Sequence, residues 1–171
     1  MRKELPLAFI SLLMIMACTG SEDSLPNPII QGPVTNTSSD PLSALVESSR
    51  YICHARVTKV SSQYEQYDAQ ASAVMSRVTL DIIKNWKGNL SSGTEIRSFG
   101  GIVNGTTYEA SDGVSVLFQE NEEVVLFLND FVGGIFPVLG SSGKYLVINN
   151  VITSTGNSLD EFRKRINNII K

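Results

Sequence analysis

This chain of 171 residues has one histidine, one tryptophan and two cysteines, and each scarcity removes a class of chemistry. A Ser-His-Asp triad would have to use His54. No Gly-x-Ser-x-Gly elbow accompanies it, because Gly140-Ser141-Ser142-Gly143 has the wrong spacing and reads as a hairpin turn. Cys53 and His54 are neighbours in a strand-like segment, so their side chains point to opposite faces. They cannot form a nucleophile–base pair or share a metal. Zinc sites need three or four His, Cys or carboxylate ligands at defined spacing, and none is seen. Glu120, Glu122, Glu123 and Asp130 lack the Asp/Asn alternation about a central glycine that marks a calcium loop. Gly100-Gly101 is not followed by Gly-Lys-Ser/Thr, as a phosphate loop requires. No metal or cofactor is expected. Paired carboxylates for glycoside hydrolysis stay open by spacing, with no pair singled out. A membrane-spanning run is missing too: about 20 apolar residues are needed, and residues 5–16 supply only about a dozen.

That short run has a pattern of its own. Arg2 and Lys3 precede it, small Ala17 closes it, and Thr19-Gly20-Ser21-Glu22-Asp23 follows. The order is that of a secretory signal. With Cys18 directly after Ala17, the segment resembles a bacterial lipoprotein signal, with Ile15-Met16-Ala17-Cys18 as its lipobox. The resemblance implies cleavage after residue 17, a diacylglyceryl group on the Cys18 sulfur and an acylated amine. It also implies a place in the cell envelope, as an outer-membrane lipoprotein facing the periplasm or the cell surface. Each buried CH₂ adds about 0.8 kcal/mol, and stable anchoring takes more than one chain. Met16 is bulkier than usual at its position, so an unlipidated signal peptide is the other reading. Ser21-Glu22-Asp23 resembles the acidic export tag of surface-exposed lipoproteins, or is an ordinary polar linker.

Removing Arg2, Lys3 and Glu4 from 14 basic and 17 acidic residues leaves 12 and 16, a net charge of −4. A mildly acidic surface speaks against nucleic acid as a partner. With Cys18 committed to lipid, Cys53 has no disulfide partner and reads as a small buried hydrophobe. A body of about 130 residues buries roughly two-thirds of its unfolded surface, which is enough for one core without staples.

Residues 18–40 hold Pro26, Pro28, Pro33 and Gly32 without apolar periodicity, a composition that reads as a disordered tether. The domain follows at 41–171. Pro41–Ser49 reads as a short helical lead-in and Tyr51–Val60 as a strand with Tyr51, Cys53, Ala55 and Val57 on one face. The polar stretch 61–72 reads as a loop. Val74–Trp86 reads as a long strand, with Val74, Ser76, Val78, Leu80 and Ile82 inward and Met75, Arg77, Thr79 and Asp81 outward. Asn104-Gly105 predicts a type I′ hairpin. Val114–Phe118 reads as a short edge strand and Glu123–Leu128 as a strand buried on both faces. Ile135–Leu139 and Lys144–Ile152 read as a last hairpin. Ser158-Leu159-Asp160-Glu161 is a capping box, opening an amphipathic helix over 158–171. In it Arg163, Lys164 and Arg165 read as a solvated face, or else as a partner or headgroup contact.

The order of several short motifs carries a second resemblance. Ser48-Ser49-Arg50-Tyr51 leads into Ala55-Arg56-Val57-Thr58-Lys59-Val60. Asn85-Trp86-Lys87-Gly88-Asn89-Leu90, Gly93-Thr94-Glu95-Ile96 and Gly100-Gly101 follow. Last comes Phe118-Gln119-Glu120-Asn121-Glu122-Glu123, running into Val124–Leu128. This is similar to bacterial secreted domains related to the netrin-module and tissue-metalloproteinase-inhibitor superfamily, over about residues 42–152. The resemblance implies a mainly β fold, a small OB-like five-stranded barrel, closed or partly open, with the C-terminal helix added. The family's usual disulfides are missing. Its inhibitors chelate zinc through a free N-terminal cysteine at the start of the barrel; here no position inherits that role, so the resemblance transfers shape and not inhibition.

Two surfaces are expected to bind if the barrel binds at all. One is the loop 61–72 with Tyr64 and Tyr67; the other is the hairpin near Tyr108 with outward Arg77 and Arg97. Tyrosine offers rigid area with a polar tip, suited to an envelope protein or a glycan. The expected function is a non-enzymatic, lipid-anchored binding module. The alternatives are an assembly factor of an envelope complex, or a hydrolase using His54, itself expected to be an exposed strand residue, or a carboxylate pair.

Overall fold

The computed structural model of the protein describes residues 40–66, 72–110 and 113–171. The signal segment 1–17, Cys18, the tether up to residue 39 and Tyr67 lie outside the described residues.

Helix α1 spans Pro41–Ser48. The Asp40 carboxylate accepts from the Leu42 N–H at 3.1 Å, and Pro41 gives up an N–H that the first turn leaves unpaired anyway. Leu42, Leu45 and Val46 form its buried stripe. The strands are β1 (Tyr51–Gln66), β2 (Ser72–Lys87), β3 (Thr94–Phe99), β4 (Gly101–Val103), β5 (Thr106–Tyr108), β6 (Glu123–Phe131), β7 (Gly134–Pro137), β8 (Lys144–Ile148) and β9 (Val151–Ile152). Helix α2 spans Leu159–Ile170. The Ser158 hydroxyl accepts from the Glu161 N–H, and the Glu161 carboxylate accepts from the Ser158 N–H at 3.1 Å, so the capping box forms as the sequence predicts.

The main sheet runs β3-β2-β1-β6-β8-β9, with β7 also paired to β6, and β4 and β5 form a separate two-stranded ribbon. Alternation along the strands divides the apolar residues between two cores. Cys53, Ala55 and Val57 of β1 pack with Val78 and Leu80 of β2, Ile96 of β3 and Val124, Leu126 and Leu128 of β6. On the other face, Ile52, Val125, Phe127, Val147 and Ile152 lie under α1 and under Leu159, Phe162 and Ile166 of α2. Strand β6 is buried on both faces, as its apolar run predicts.

The protein is thus mainly β with a C-terminal helix, and its hydrogen-bonded sheet does not close into a barrel. Strand β3 runs beside β7, joined to it by side chains instead of a ladder. Arg97 donates to the Gly133 carbonyl at 3.0 Å, and the Phe99 and Phe136 rings lie 5.9 Å apart.

Several expectations are corrected. Most of the described part of the polar stretch 61–72 is strand and not loop: β1 continues to Gln66 and β2 begins at Ser72, with Tyr64 opposite Val74, while residues 67–71 lie outside the described residues. Met75 is buried, not outward. Val114–Phe118 forms no strand; Val116 is held singly, its N–H on the Phe99 carbonyl and its carbonyl on the Ser98 hydroxyl. Strands β7 and β8 are not a hairpin. Leu139 and Gly140 take positive φ, and the 3-10 turn Gly140–Gly143 returns the chain to the same edge of β6 without reversing it. The hairpin at Asn104-Gly105 does form, with φ of 50° and 78°.

Candidate functional site

At the far end of the β1–β2 hairpin the chain leaves β3 through Gly100 and Gly101. Gly100 has φ 84°, and a Cβ on Gly101 would collide with the hydroxyls of Ser62 and Ser76. Those small side chains and the glycines let the β4–β5 ribbon lie close over the hairpin. The Ser76 hydroxyl then donates to the Gly100 carbonyl at 2.7 Å and sits 2.8 Å from that of Ser62.

This folding-over brings Tyr108 of β5 onto Tyr64 of β1. Their rings meet edge to face with centroids 5.4 Å apart. Tyr64 is 57 % exposed. Its side-chain hydrogen bond with Tyr108, ahead of burial, raises its hydroxyl above the ordinary phenol value. Beneath the pair lies a half-open cleft of about 220 Å³, lined by Val74, Phe99 and Gly100 and edged by Ser72 and Glu109. An apolar floor, two phenol rings and a carboxylate suit a ligand with an apolar face and hydrogen-bonding groups around it.

Arg77 and Arg97 do not join this cleft. They meet on Glu65, which follows Tyr64 in β1 and so points to the opposite face. One Glu65 oxygen accepts from Arg77 Nε at 3.2 Å and from its terminal nitrogen at 3.1 Å, and the other oxygen is bound by Arg97. Burial pushes the Glu65 carboxyl up. Hydrogen bonds from Gln63 and Arg77 and the charges of Arg97 and Arg77 outweigh that and hold it below the usual glutamate value. The two surfaces expected from the sequence are therefore regrouped: tyrosine with tyrosine, arginine with arginine. Tyr67 lies outside the described residues. Glu65, Phe99 and Glu109 are members that the sequence reading missed; the Gly-Gly step beside a hairpin was the available signal for a close crossing.

His54 is buried rather than exposed, a correction. Its Nε2 lies 2.7 Å from a Glu123 oxygen, whose partner oxygen meets Arg56 at 3.3 Å. Cys53 is fully buried on the interior face, where burial pushes its thiol up to about 12. The acidic residues Glu120 and Glu122 ahead of β6 are both paired. Glu122 pairs with the largely buried Lys144 at 2.6 Å, Lys144 also covers the Phe118 ring, and Glu120 accepts from the Val60 N–H. Among the described residues no three His, Cys, Asp or Glu side chains are placed to hold a metal ion, and no helix is long and apolar enough to cross a membrane. Compared with protein-family models, with curated proteins and with solved structures, the chain matches none.

Proposed function

We propose that the protein is a lipid-anchored envelope lipoprotein whose β body is a non-enzymatic binding or interaction module, with the Tyr64–Tyr108 cleft as its site. The observation that carries this reading is the meeting of two tyrosines from separate sheets over one cleft. A pair of rigid aromatic rings with polar tips, one exposed and one half-buried, is well suited to a glycan or peptide surface. The N-terminal pattern through Cys18 supports the anchor, and a net charge of −4 beyond it supports partners other than nucleic acid. The OB-like reading belongs to the same proposal, and two observations support it: β3, β2, β1, β6 and β7 are hydrogen-bonded in that order, and β3 also lies beside β7, where Arg97 reaches the Gly133 carbonyl.

The test is affinity capture from detergent-solubilised envelopes with the anchored protein, run beside Tyr64→Ala and Tyr108→Ala. A protein or glycan recovered by the wild type and lost by both variants supports the site. Equal recovery by all three removes the cleft from the account, and no specific recovery removes the interaction reading. Mass spectrometry of native Cys18 tests the anchor separately.

An assembly role is favoured by one other observation. Ile148 of β8 and Val151 of β9 stand directly opposite each other at the sheet edge, 52 % and 37 % exposed. Such an apolar pair on a short edge hairpin is a natural contact for another envelope protein.

A further inference from the structure

The cleft under Tyr64 and Tyr108 is built from chain that carries no positive charge. No lysine, arginine or histidine occurs from residue 60 to 76 or from 98 to 143, and these two stretches supply its whole lining. Glu109, at the rim, is the only charged residue that lines it. Arg77 and Arg97, just beyond the two stretches, are held by Glu65 on the opposite face. A negatively charged ligand therefore meets no partner here, and a positive one meets Glu109.

The rings narrow the choice of cation. The two phenols stand at 72° to each other, so they make a corner and not the flat platform on which a sugar ring stacks. Phe99 adds a third ring and Val74 an aliphatic wall. The Tyr64 hydroxyl is hydrogen-bonded to Tyr108, which leaves less hydrogen-bonding capacity for a polyhydroxylated ligand. What remains is aromatic surface beside one negative charge, and the face of an aromatic ring attracts a cation. A volume of about 220 Å³ takes a head group and not an extended oligosaccharide. A primary ammonium is strongly hydrated and wants an acceptor for each proton. An alkylated ammonium wants none, and its methyl groups suit the apolar lining.

We infer that the Tyr64–Tyr108 cleft recognises an alkylated ammonium group, of the kind borne by choline or by a methylated lysine side chain. This rests on the cleft being the binding site proposed above, and it names the feature of the partner that the site reads. The rings and Glu109 act together: the aromatic faces favour a cation of low hydration, and the carboxylate sets the sign of the charge.

The test titrates the native protein, in a detergent without choline groups, and follows binding by NMR. The probes are choline, trimethyllysine amide and the uncharged tert-butyl counterpart of choline, in which carbon replaces the nitrogen. Both cations are expected to bind, and the uncharged counterpart about tenfold more weakly or worse. A preference between the two cations tells whether the group arrives on a free small molecule or on a side chain. Tyr64→Phe keeps the ring and should hold the affinity within about twofold, whereas Tyr64→Leu and Glu109→Gln should each lower it about fivefold. These positions are exposed, so the variants keep the fold. Equal binding of the uncharged counterpart, binding of neither cation, or an affinity unmoved by Tyr64→Leu overturns the inference. The capture experiment separates this failure from that of the reading beneath it. A partner still lost by Tyr64→Ala and Tyr108→Ala, with no cation bound, leaves the cleft its role and removes the ammonium group alone.

Discussion

Arg97 in β3 and Gly133 in the turn before β7 are joined by a single hydrogen bond of 3.0 Å, from the guanidinium to the backbone carbonyl. The same guanidinium holds Glu65 of β1 and lies over the Phe136 ring, its carbon 5.8 Å from the ring centre. One side chain thereby ties together three elements along a seam that has no strand ladder. Arg97→Met keeps the apolar stem and removes the ties. It is expected to lower the unfolding free energy by about 1–3 kcal/mol, with Arg97→Lys between the two. Urea titration decides; a loss under about 0.3 kcal/mol for the methionine variant would mean that the seam holds without it.

The tyrosine pair should matter more to binding than to folding. Tyr64 is largely exposed, so Tyr64→Ala is expected to cost no more than about 1 kcal/mol. A double-mutant cycle with Tyr108→Ala should give a coupling of about 0.5–1.5 kcal/mol if the edge-to-face contact persists in solution. Additive effects on thermal unfolding would show that the rings do not meet.

Much of this was legible in the residues, and the failures have physical reasons. The Ser158/Glu161 capping box, the Asn104-Gly105 turn, the inward row of β2 and the doubly buried β6 all formed where composition or periodicity placed them. Each is a short-range signal. The extension of β1 through Ser61–Gln66 was invisible because neither face there carries an apolar period; it is fixed by pairing with β2 and by Glu65 between two arginines. The sharing of one β6 edge by β7 and β8 depends on left-handed Leu139, which no pattern announces. The tyrosines were singled out, yet their meeting needed the Gly100-Gly101 crossing, a long-range event. His54 read as exposed because its burial is set by Glu123 and Trp86 from other strands.

Gly101 should tolerate no side chain. Its φ of 148° lies where L-residues are rare, and a Cβ would overlap the Ser62 and Ser76 hydroxyls. Gly101→Ala is expected to destabilise by about 3 kcal/mol and to open the tyrosine cleft. Shortening both serines to alanine in the same chain should recover part of the loss; a fully stable Gly101→Ala protein would contradict the crowding.

Acid should weaken the fold through Glu65. Its carboxyl is held below the ordinary 4.5, because bonds from Gln63 and Arg77 and the charges of Arg97 and Arg77 outweigh burial. A lowered native value means stabilisation that is present above the unfolded value and lost as pH falls through the native one. The unfolding free energy should therefore decline between about pH 5 and about pH 3, and Glu65→Gln should flatten that decline. An equal slope in both proteins would assign the acid sensitivity to other carboxyls.

Cys53 should be silent to thiol reagents. Burial pushes its thiol up to about 12 and leaves no exposed surface, and the thiolate is the reactive form. In a Cys18→Ser chain, where Cys53 is the one thiol, labelling by iodoacetamide at pH 8 should follow global unfolding and not precede it. Rapid labelling of the native protein would place Cys53 in a locally opening segment.

Strand β1 pairs with β2, its near neighbour in the chain, and with β6, which lies beyond four intervening strands. The first partnership closes a short loop and the second a long one, and the entropy lost grows with the length closed. The hairpin can therefore assemble early and wait, its inner face uncovered, until β6 arrives to shield it. During that interval the bare rows of β1 offer an adhesive template to any other nascent copy, so the vulnerable moment in the life of this protein is the one before its central strand is in place.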